Sequence, residues 1–243
     1  MRRVLHQWYS PRLNKNMEVA EYGHFGFALL LLPTAAADYL EYERFQMLDV
    51  LQPAIDAGKV KVFSINSINS EAWLNNQMQP RHKSIRHQQF NAYVENEVVP
   101  FIRMHTSDTT PIITTGASLG ALHAINMYFR RPDLFRGSIA MSGVYDLTTY
   151  TKGHFDEDVY FNSPAHYLPN LEGPFLHLLR NARHLHILSG SGDYEDPDAS
   201  RRISGILHAK GIPHELDVWG GDMKHDWPTW RAMLPYKISQ IQF

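Results

Sequence analysis

The stretch from Pro111 to Gly120 constrains the fold of this chain more than any other. It consists of β-branched and apolar residues, then Gly116-Ala117-Ser118-Leu119-Gly120, and then apolar residues at helical spacing. A serine with a glycine two residues away on each side fits a turn so sharp that its backbone is strained and its hydroxyl stands clear of the sheet. Glycine suits the two flanking positions because side chains there would crowd each other. The sequence therefore predicts a buried strand, a nucleophile elbow at Ser118, and a helix that ends near Arg131.

Strands and helices alternate along most of the chain. The strands are predicted at residues 4–9, 16–22, 27–32, 59–65, 111–115, 135–142, 185–190 and 213–218, and the helices at residues 39–57, 84–104 with a kink at Pro100, 119–131, 199–210 and 230–241. This alternation predicts an α/β fold with a mostly parallel sheet and helices on both faces, opened by a short antiparallel stretch. The 243 residues fit a single domain, 1–243. Around residues 144–180 the pattern is irregular, and we expect a small cap or pocket wall there; the acidic residues 156–158 are interpreted as solvated surface.

A serine hydroxyl becomes a nucleophile only when a base takes its proton, and that base is a histidine oriented by a carboxylate. His225 follows the last predicted strand in a loop made flexible by Gly220 and Gly221. Carboxylates follow the preceding strand at Asp193 and Glu195. Because the carboxyl ends of parallel strands share one edge of a sheet, all these groups should meet there. Asp193 is favoured as the acid for its short distance from the strand end, and Glu195 stays open as the alternative.

An oxyanion site requires two N–H donors near the serine. The first is predicted to be the N–H of Leu119, at the start of the helix. The second is expected in the loop of small residues at 33–38, which follows an apolar strand. Its donor is predicted to be the N–H of Ala35, with Thr34 as the alternative.

These motifs resemble the esterase family of α/β-hydrolases that includes esterase D, feruloyl esterases and mycolyltransferases. The resemblance runs over nearly the whole chain, and its motifs are Gly116-Ala117-Ser118-Leu119-Gly120-Ala121, Arg131-Pro132-Asp133-Leu134-Phe135 followed by Ser142-Gly143, Lys210-Gly211-Ile212-Pro213-His214, and His225-Asp226-Trp227-Pro228-x-Trp230. It implies an α/β-hydrolase fold and serine ester chemistry through Ser118 and His225, without a cofactor. The resemblance leaves the identity of the acid open. The similarity to feruloyl esterases implies Asp193, and the similarity to mycolyltransferases, which use a glutamate, implies Glu195. Many members carry His-Gly and further glycines in the oxyanion loop, where this chain has Pro33-Thr34-Ala35-Ala36-Ala37.

The sequence therefore predicts a serine carboxylic-ester hydrolase that reacts with a small-molecule ester and forms an acyl-enzyme on Ser118. An acyltransferase with the same triad, or a binding protein on the same fold, is the alternative. Aromatic residues that could line a substrate pocket are explained equally well by core packing: Trp73, Tyr145, Trp219 and Trp227.

Composition bears on which other kinds of catalysis and which partners are expected. Cysteine is absent, which excludes thiol catalysis and disulfides, and no histidine pattern has metal-ligand spacing, so we expect no metal site and no cofactor. The net charge is −2 without a basic block, so no nucleic-acid partner is expected. No apolar run is long enough for a membrane span, and the first nine residues lack the apolar segment of a signal peptide; we expect a cytoplasmic protein with no membrane partner. The oligomeric state is left open.

Overall fold

The computed structural model of the protein describes residues 2–243, and a sheet of eight strands runs through them. The strands are β1 (Arg3–Ser10), β2 (Lys15–Tyr22), β3 (Phe27–Leu32), β4 (Val60–Ile65), β5 (Ile112–Ala117), β6 (Gly137–Met141), β7 (His184–Ser189) and β8 (Glu215–Val218). Each of the eight predicted strands is therefore confirmed, with ends that differ by at most two residues.

The strand order in the sheet is β1-β2-β4-β3-β5-β6-β7-β8. β1 pairs with β2 and β2 with β4 in antiparallel fashion, whereas all pairs from β4 to β8 are parallel. The mostly parallel sheet opened by an antiparallel stretch is thus confirmed. β5, which leads into Ser118, lies between β3 and β6 near the middle of the sheet.

Side chains of the central strands are buried on both faces of the sheet. Along β3, Leu30 and Leu32 pack into one apolar core, and Leu29 and Leu31 into a second. This follows from the period of two in a strand, and it explains why a strand covered on both faces is a continuous apolar run.

The helices supply the other half of each core. They are α1 (Glu41–Arg44), α2 (Met47–Asp56), α3 (Pro80–Tyr93), α4 (Val99–His105), α5 (Leu119–Arg130), α6 (Glu157–Tyr160), α7 (Pro164–Tyr167), α8 (Gly173–Leu179), α9 (Pro197–Ala209) and α10 (Trp227–Gln240). Residues of α3, α4, α5 and α9 line the first core, and residues of α2 and α10 the second. Among residues 2–243, no helix is both long enough and apolar enough to cross a bilayer.

The single helix predicted for residues 39–57 is wrong, because the chain breaks between α1 and α2. Gln46 has φ 61°, which no helix accommodates. The break places the Phe45 ring parallel to Trp227, with 4.7 Å between ring centroids, and lets the Phe45 carbonyl accept a hydrogen bond from Arg231. These contacts come from α10, so the local apolar pattern could not reveal them.

The predicted helix at 84–104 begins earlier, at Pro80, and its kink takes a specific form. Between α3 and α4 the chain makes a π-helical turn over Val94–Val98. Pro100 lies just beyond it and has no N–H for the normal ladder, so the wider turn absorbs the interruption.

The segment from 144 to 180 is a succession of short helices, α6 to α8 with 3₁₀ turns between them. The interpretation of 156–158 as solvated surface is wrong for Asp156. Its side chain is 18% exposed, accepts the N–H of Val159 at the start of α6 and pairs with Arg81 at 2.7 Å. Burial acts to raise the pKa of Asp156, but bonds from His154, Val159 and Arg81 prevail and lower it.

Candidate active site

The carboxyl ends of four neighbouring strands bring the candidate residues to one edge of the sheet. Ala117 at the end of β5 pairs with Met141 in β6, and Met141 pairs with Leu188 in β7. The Ser118 N–H then bonds to the Met141 carbonyl at 3.0 Å, and the Ser142 N–H to the Leu188 carbonyl at 2.7 Å. The chain thus leaves each of these strands at the same level, with Ser118 beside Ser142.

The elbow at Ser118 has the strained geometry that the sequence predicts. Ser118 has φ 57° and ψ −123°, a conformation that costs a non-glycine residue on the order of 1–3 kcal/mol. A Cβ added to Gly116 would lie 2.4 Å from the carbonyl carbon and oxygen of Gly120, and one added to Gly120 would lie 2.5 Å from the carbonyl oxygens of Leu32 and Pro33. Both glycines are therefore required by close backbone approach. The same approach sets the N-terminus of α5 against the loop that follows β3.

That loop contains both candidates for the second oxyanion donor, and the structure distinguishes between them. The Thr34 N–H donates to Glu41 Oε2 at 2.8 Å, and the Thr34 hydroxyl donates to Glu41 Oε1 at 2.6 Å. The Thr34 N–H is therefore already used in a hydrogen bond to Glu41. Within residues 2–243 the Ala35 N–H makes no hydrogen bond, and Ala35 is exposed. Leu119 is the first residue of α5, so its N–H has no partner in the helix.

Glu195 occupies the most enclosed position at this edge, since its side chain has no exposed surface. One carboxylate oxygen accepts the Ser142 hydroxyl at 2.5 Å, and the other accepts the Ser189 hydroxyl at 3.1 Å. His225 Nδ1 lies 3.7 Å from Glu195 Oε2. Burial acts to raise the pKa of Glu195, but contacts with His225 and the two serines prevail and lower it. Glu195 is therefore held as a carboxylate beside an imidazole.

His225 is placed by a set of backbone contacts between two loops. The His225 N–H bonds to the Asp193 carbonyl at 3.0 Å, and the Gly192 N–H bonds to the Met223 carbonyl at 3.0 Å. A Cβ on Gly190 would lie 2.1 Å from the Met223 carbonyl oxygen, so only glycine permits this approach. The loop after β7 and the loop after β8 thus pack as a unit, which fixes His225 above Glu195.

The preference for Asp193 as the acid is not supported by its placement. Its carboxylate is 64% exposed and pairs with Lys224 at 2.7 Å, whereas Glu195 faces the imidazole. Tyr194 between them has φ 64°, a turn that directs the two carboxylates differently. Asp193 contributes its backbone carbonyl to the site instead.

Two supporting residues were not singled out from the sequence as members of the site. Ser142 donates to Glu195, and Trp230 Nε1 donates to the Ser142 hydroxyl at 2.9 Å. The Trp230 ring also packs edge-on against the His225 ring, with 5.2 Å between centroids. Both lie in the motifs Ser142-Gly143 and His225-Asp226-Trp227-Pro228-x-Trp230, which was the only signal that pointed to them.

The aromatic residues considered for a substrate pocket belong largely to the core. Trp73, Tyr145 and Trp227 are 2%, 3% and 6% exposed. Trp219 is half-buried at the end of β8 and packs near Tyr236.

One side-chain cluster among residues 2–243 has the composition of a metal site, and it lies between the outer strands β1 and β2 and the end of α4 rather than at this edge. His6 Nε2 and His105 Nδ1 are 2.9 Å and 2.7 Å from the same oxygen of Glu21. The other Glu21 oxygen pairs with the buried Lys61 ammonium at 2.9 Å. Since Lys61 already neutralises the carboxylate, the cluster is satisfied as an ion-pair network.

A comparison with models of protein families finds one match. The family described as "Putative esterase" matches residues 47–241, which is most of the chain and includes Ser118, Glu195 and His225. A search of curated proteins finds no match.

Solved structures share the fold at low sequence identity. A ferulic acid esterase aligns with a TM-score of 0.76 at 18% identity, covering 99% of both chains. The S-formylglutathione hydrolase FrmB from Staphylococcus aureus aligns with a TM-score of 0.67 at 15% identity, covering 98% of this chain and 95% of its own. The fluorophosphonate-binding serine hydrolase FphF from Staphylococcus aureus aligns with a TM-score of 0.69 at 16% identity, covering 98% and 97%. The predicted α/β-hydrolase fold is confirmed.

Proposed function

The chain belongs to the Putative esterase family and is a serine esterase; from its site geometry we propose that it hydrolyses small carboxylic esters through an acyl-enzyme on Ser118. The observation that carries this mechanism is the buried Glu195 carboxylate, which faces His225 Nδ1 at the edge of the sheet where the elbow presents Ser118. The orientation leaves Nε2 of the imidazole to act on the serine.

In the first half of the reaction, His225 Nε2 takes the hydroxyl proton of Ser118 as Oγ attacks the ester carbonyl carbon. The carbonyl oxygen becomes an oxyanion, which accepts hydrogen bonds from the N–H groups of Leu119 and Ala35. The imidazolium then gives its proton to the departing alkoxide, and the acyl group remains on Ser118.

In the second half, water replaces the alcohol. His225 takes a proton from the water as the water oxygen attacks the acyl carbon. His225 then donates this proton to Ser118 Oγ as the carboxylic acid leaves. Throughout, Glu195 stabilises the imidazolium and holds its Nδ1–H, while Ser142 and Ser189 hold Glu195. A 3.7 Å separation between Glu195 and His225 is compatible with this role, because catalytic hydrogen bonds are often long without substrate and shorten when it binds.

The proposal is tested with a p-nitrophenyl ester and a fluorophosphonate probe on wild type and Ser118→Ala. We expect kcat to fall by roughly 10³-fold or more in the variant, and the probe to label wild type only, because removal of a triad nucleophile leaves only residual catalysis. Equal hydrolysis by the two proteins, or labelling at another residue, would reject the mechanism.

A further inference from the structure

The oxyanion loop is fixed on both sides of the Ala35 N–H. On the side before it, Glu41 accepts both the N–H and the hydroxyl of Thr34, which holds the peptide group between Pro33 and Thr34. Glu41 itself is buried, being 5% exposed. Desolvation raises the pKa of Glu41 against the opposing effect of the bonds from Thr34.

On the side after it, the Ala35 carbonyl accepts two hydrogen bonds. Asn69 Nδ2 donates to it at 3.1 Å, and the Ser67 hydroxyl donates to it at 3.3 Å. The Ser67 oxygen in turn accepts the N–H of Asn69 at 2.9 Å. Peptide groups are planar, so fixing the groups on either side leaves the intervening Ala35 N–H little freedom to turn.

Asn69 connects this loop to the helix that carries the other donor. It is fully buried, and its Oδ1 lies 2.9 Å from His123 Nε2. His123 stands four residues after Leu119 on α5, on the same helical face. One buried side chain therefore ties the Ala35 peptide to the helix that begins at Leu119.

Behind His123 lies a second buried imidazole. The rings of His87 and His123 have centroids 4.5 Å apart and are inclined at 67°. Trp73 Nε1 donates to His87 Nδ1 at 2.9 Å. Within residues 2–243, His87 Nε2 and His123 Nδ1 are both buried without a hydrogen-bond partner.

The series of contacts runs from the Trp73 indole at one end to the Ala35 carbonyl at the other. The chemistry of these two groups fixes the direction of every hydrogen bond between them. An indole N–H can only donate, so His87 Nδ1 must be bare and its proton must lie on Nε2. A carbonyl can only accept, so Asn69 donates through Nδ2 and presents Oδ1 to His123, whose proton must therefore lie on Nε2. The two unpartnered atoms are then a donor, His87 Nε2–H, and an acceptor, His123 Nδ1.

We propose that Trp73, His87, His123 and Asn69 form a one-directional hydrogen-bond relay that positions the Ala35 N–H as an oxyanion donor. His87 Nε2–H and His123 Nδ1 make no direct hydrogen bond, so the relay requires one water between them, which accepts from His87 and donates to His123. The four side chains act on the reaction only through the loop, so they are positioning residues, and the proposal rests on the proposed function of that loop.

Neutral rings are essential to the relay, because a second proton on either histidine would turn an acceptor into a donor. Burial keeps the rings neutral: desolvation lowers the pKa of His123 to about 3 and lowers that of His87 well below its usual value. The direction of the relay therefore does not change around neutral pH.

The first test reads the proton positions without reference to activity. In protein labelled with ¹⁵N-histidine, we expect both rings to be neutral, with the proton on Nε2, from pH 5 to pH 9. Resonances of His87 and His123 are assigned by substituting each in turn. A proton on Nδ1 of either ring, or titration of either ring in this range, would overturn the relay.

The second test asks whether the relay positions the loop. His123→Leu removes the bond to Asn69, and we expect kcat to fall about 10–100-fold with KM within about threefold, less than the 10²–10³ lost with an oxyanion donor itself. His123→Gln can still donate from its amide and should recover most of the loss. The matched control is Asn126→Leu on the same helix, where a fully buried Asn bonds to Asn162 and Tyr167 instead.

Equal loss of kcat in His123→Leu and Asn126→Leu, or no recovery in His123→Gln, would show that His123 is merely structural and overturn the proposal. Failure of the proposed function looks different, because wild type would then neither hydrolyse esters nor label on Ser118. In that event the ¹⁵N measurement still decides whether the relay exists.

Discussion

The elbow at residues 116–120 and the paired loops at residues 190–196 and 219–226 contribute to the same site by different physical means. The elbow is fixed by sterics within a few residues: Gly116 and Gly120 allow backbone approaches that any side chain would block. The loops are fixed by groups that are distant in sequence, since Glu195 is held by Ser142 and the His225 N–H bonds to the Asp193 carbonyl. A local pattern can thus place a nucleophile, whereas the choice of its acid depends on packing.

The largest effect is expected when the two carboxylates in the loop after β7, Asp193 and Glu195, are substituted one at a time. Glu195→Gln should lower kcat by about 10³–10⁴-fold, since the corresponding change in other triads leaves the imidazole in the wrong tautomer. Asp193→Asn, two residues away with an exposed side chain, should change kcat by less than about twofold. Steady-state kinetics on the same ester compare them, and a larger loss in Asp193→Asn would reverse the assignment of the acid.

Sequence reasoning succeeded where the determinants are local. The continuous apolar runs of β3 and β5 identify buried strands, and the glycine spacing around Ser118 identifies the elbow, because sterics alone dictate them. The sequence left Asp193 and Glu195 open as the acid because both follow the same strand, whereas the contacts that favour Glu195, among them the bond from the Ser142 hydroxyl, come from tertiary packing. The break at Gln46 was missed because its cause, the stacking of Phe45 on Trp227, lies about 180 residues away.

The next prediction concerns stability at the elbow. Gly116→Ala places a Cβ 2.4 Å from the Gly120 backbone and should lower the free energy of unfolding by about 1–3 kcal/mol or more, as expected of overpacking. Gly205→Ala in α9 is the matched control: its added Cβ meets nothing within 4 Å, so it should stabilise the protein by about 0.5–1 kcal/mol. Urea unfolding measures both, and a Gly116→Ala protein as stable as wild type would show that the elbow is not sterically fixed.

A smaller effect is expected when Ser142, which donates a hydrogen bond to the proposed acid Glu195, is substituted. Ser142→Ala removes a hydrogen bond to the Glu195 carboxylate, and a bond to a charged group is worth about 1.5–3 kcal/mol, so kcat should fall about tenfold or somewhat more. Ser138→Ala, in the strand β6 that precedes Ser142, removes a buried hydroxyl that has no partner within residues 2–243 and should leave kcat unchanged. If both variants behaved alike, the Ser142 hydroxyl would have no specific role.

The smallest effect is a dependence of stability on pH. The pKa of Glu195 is lower in the folded protein than its ordinary value of 4.5, so its ionisation stabilises the fold above that pH, and the contribution is lost as pH falls through the folded pKa. The difference in free energy of unfolding between wild type and Glu195→Gln should therefore shrink between pH 7 and pH 3.5. A difference that stays constant or grows on acidification would contradict the lowered pKa.

The backbone bonds that join the loop after β7 to the loop after β8 have a practical consequence for protein engineering. Gly190, Gly192 and the carbonyls of Asp193 and Met223 set the spacing, whereas the side chains of Tyr194 and Lys224 project into solvent. A library that diversifies the outward position Lys224 varies the surface beside His225 without touching the contacts that hold the imidazole, whereas at Tyr194 it has to keep residues that tolerate a positive φ. A graft of this machinery into another scaffold, in contrast, must carry both segments together.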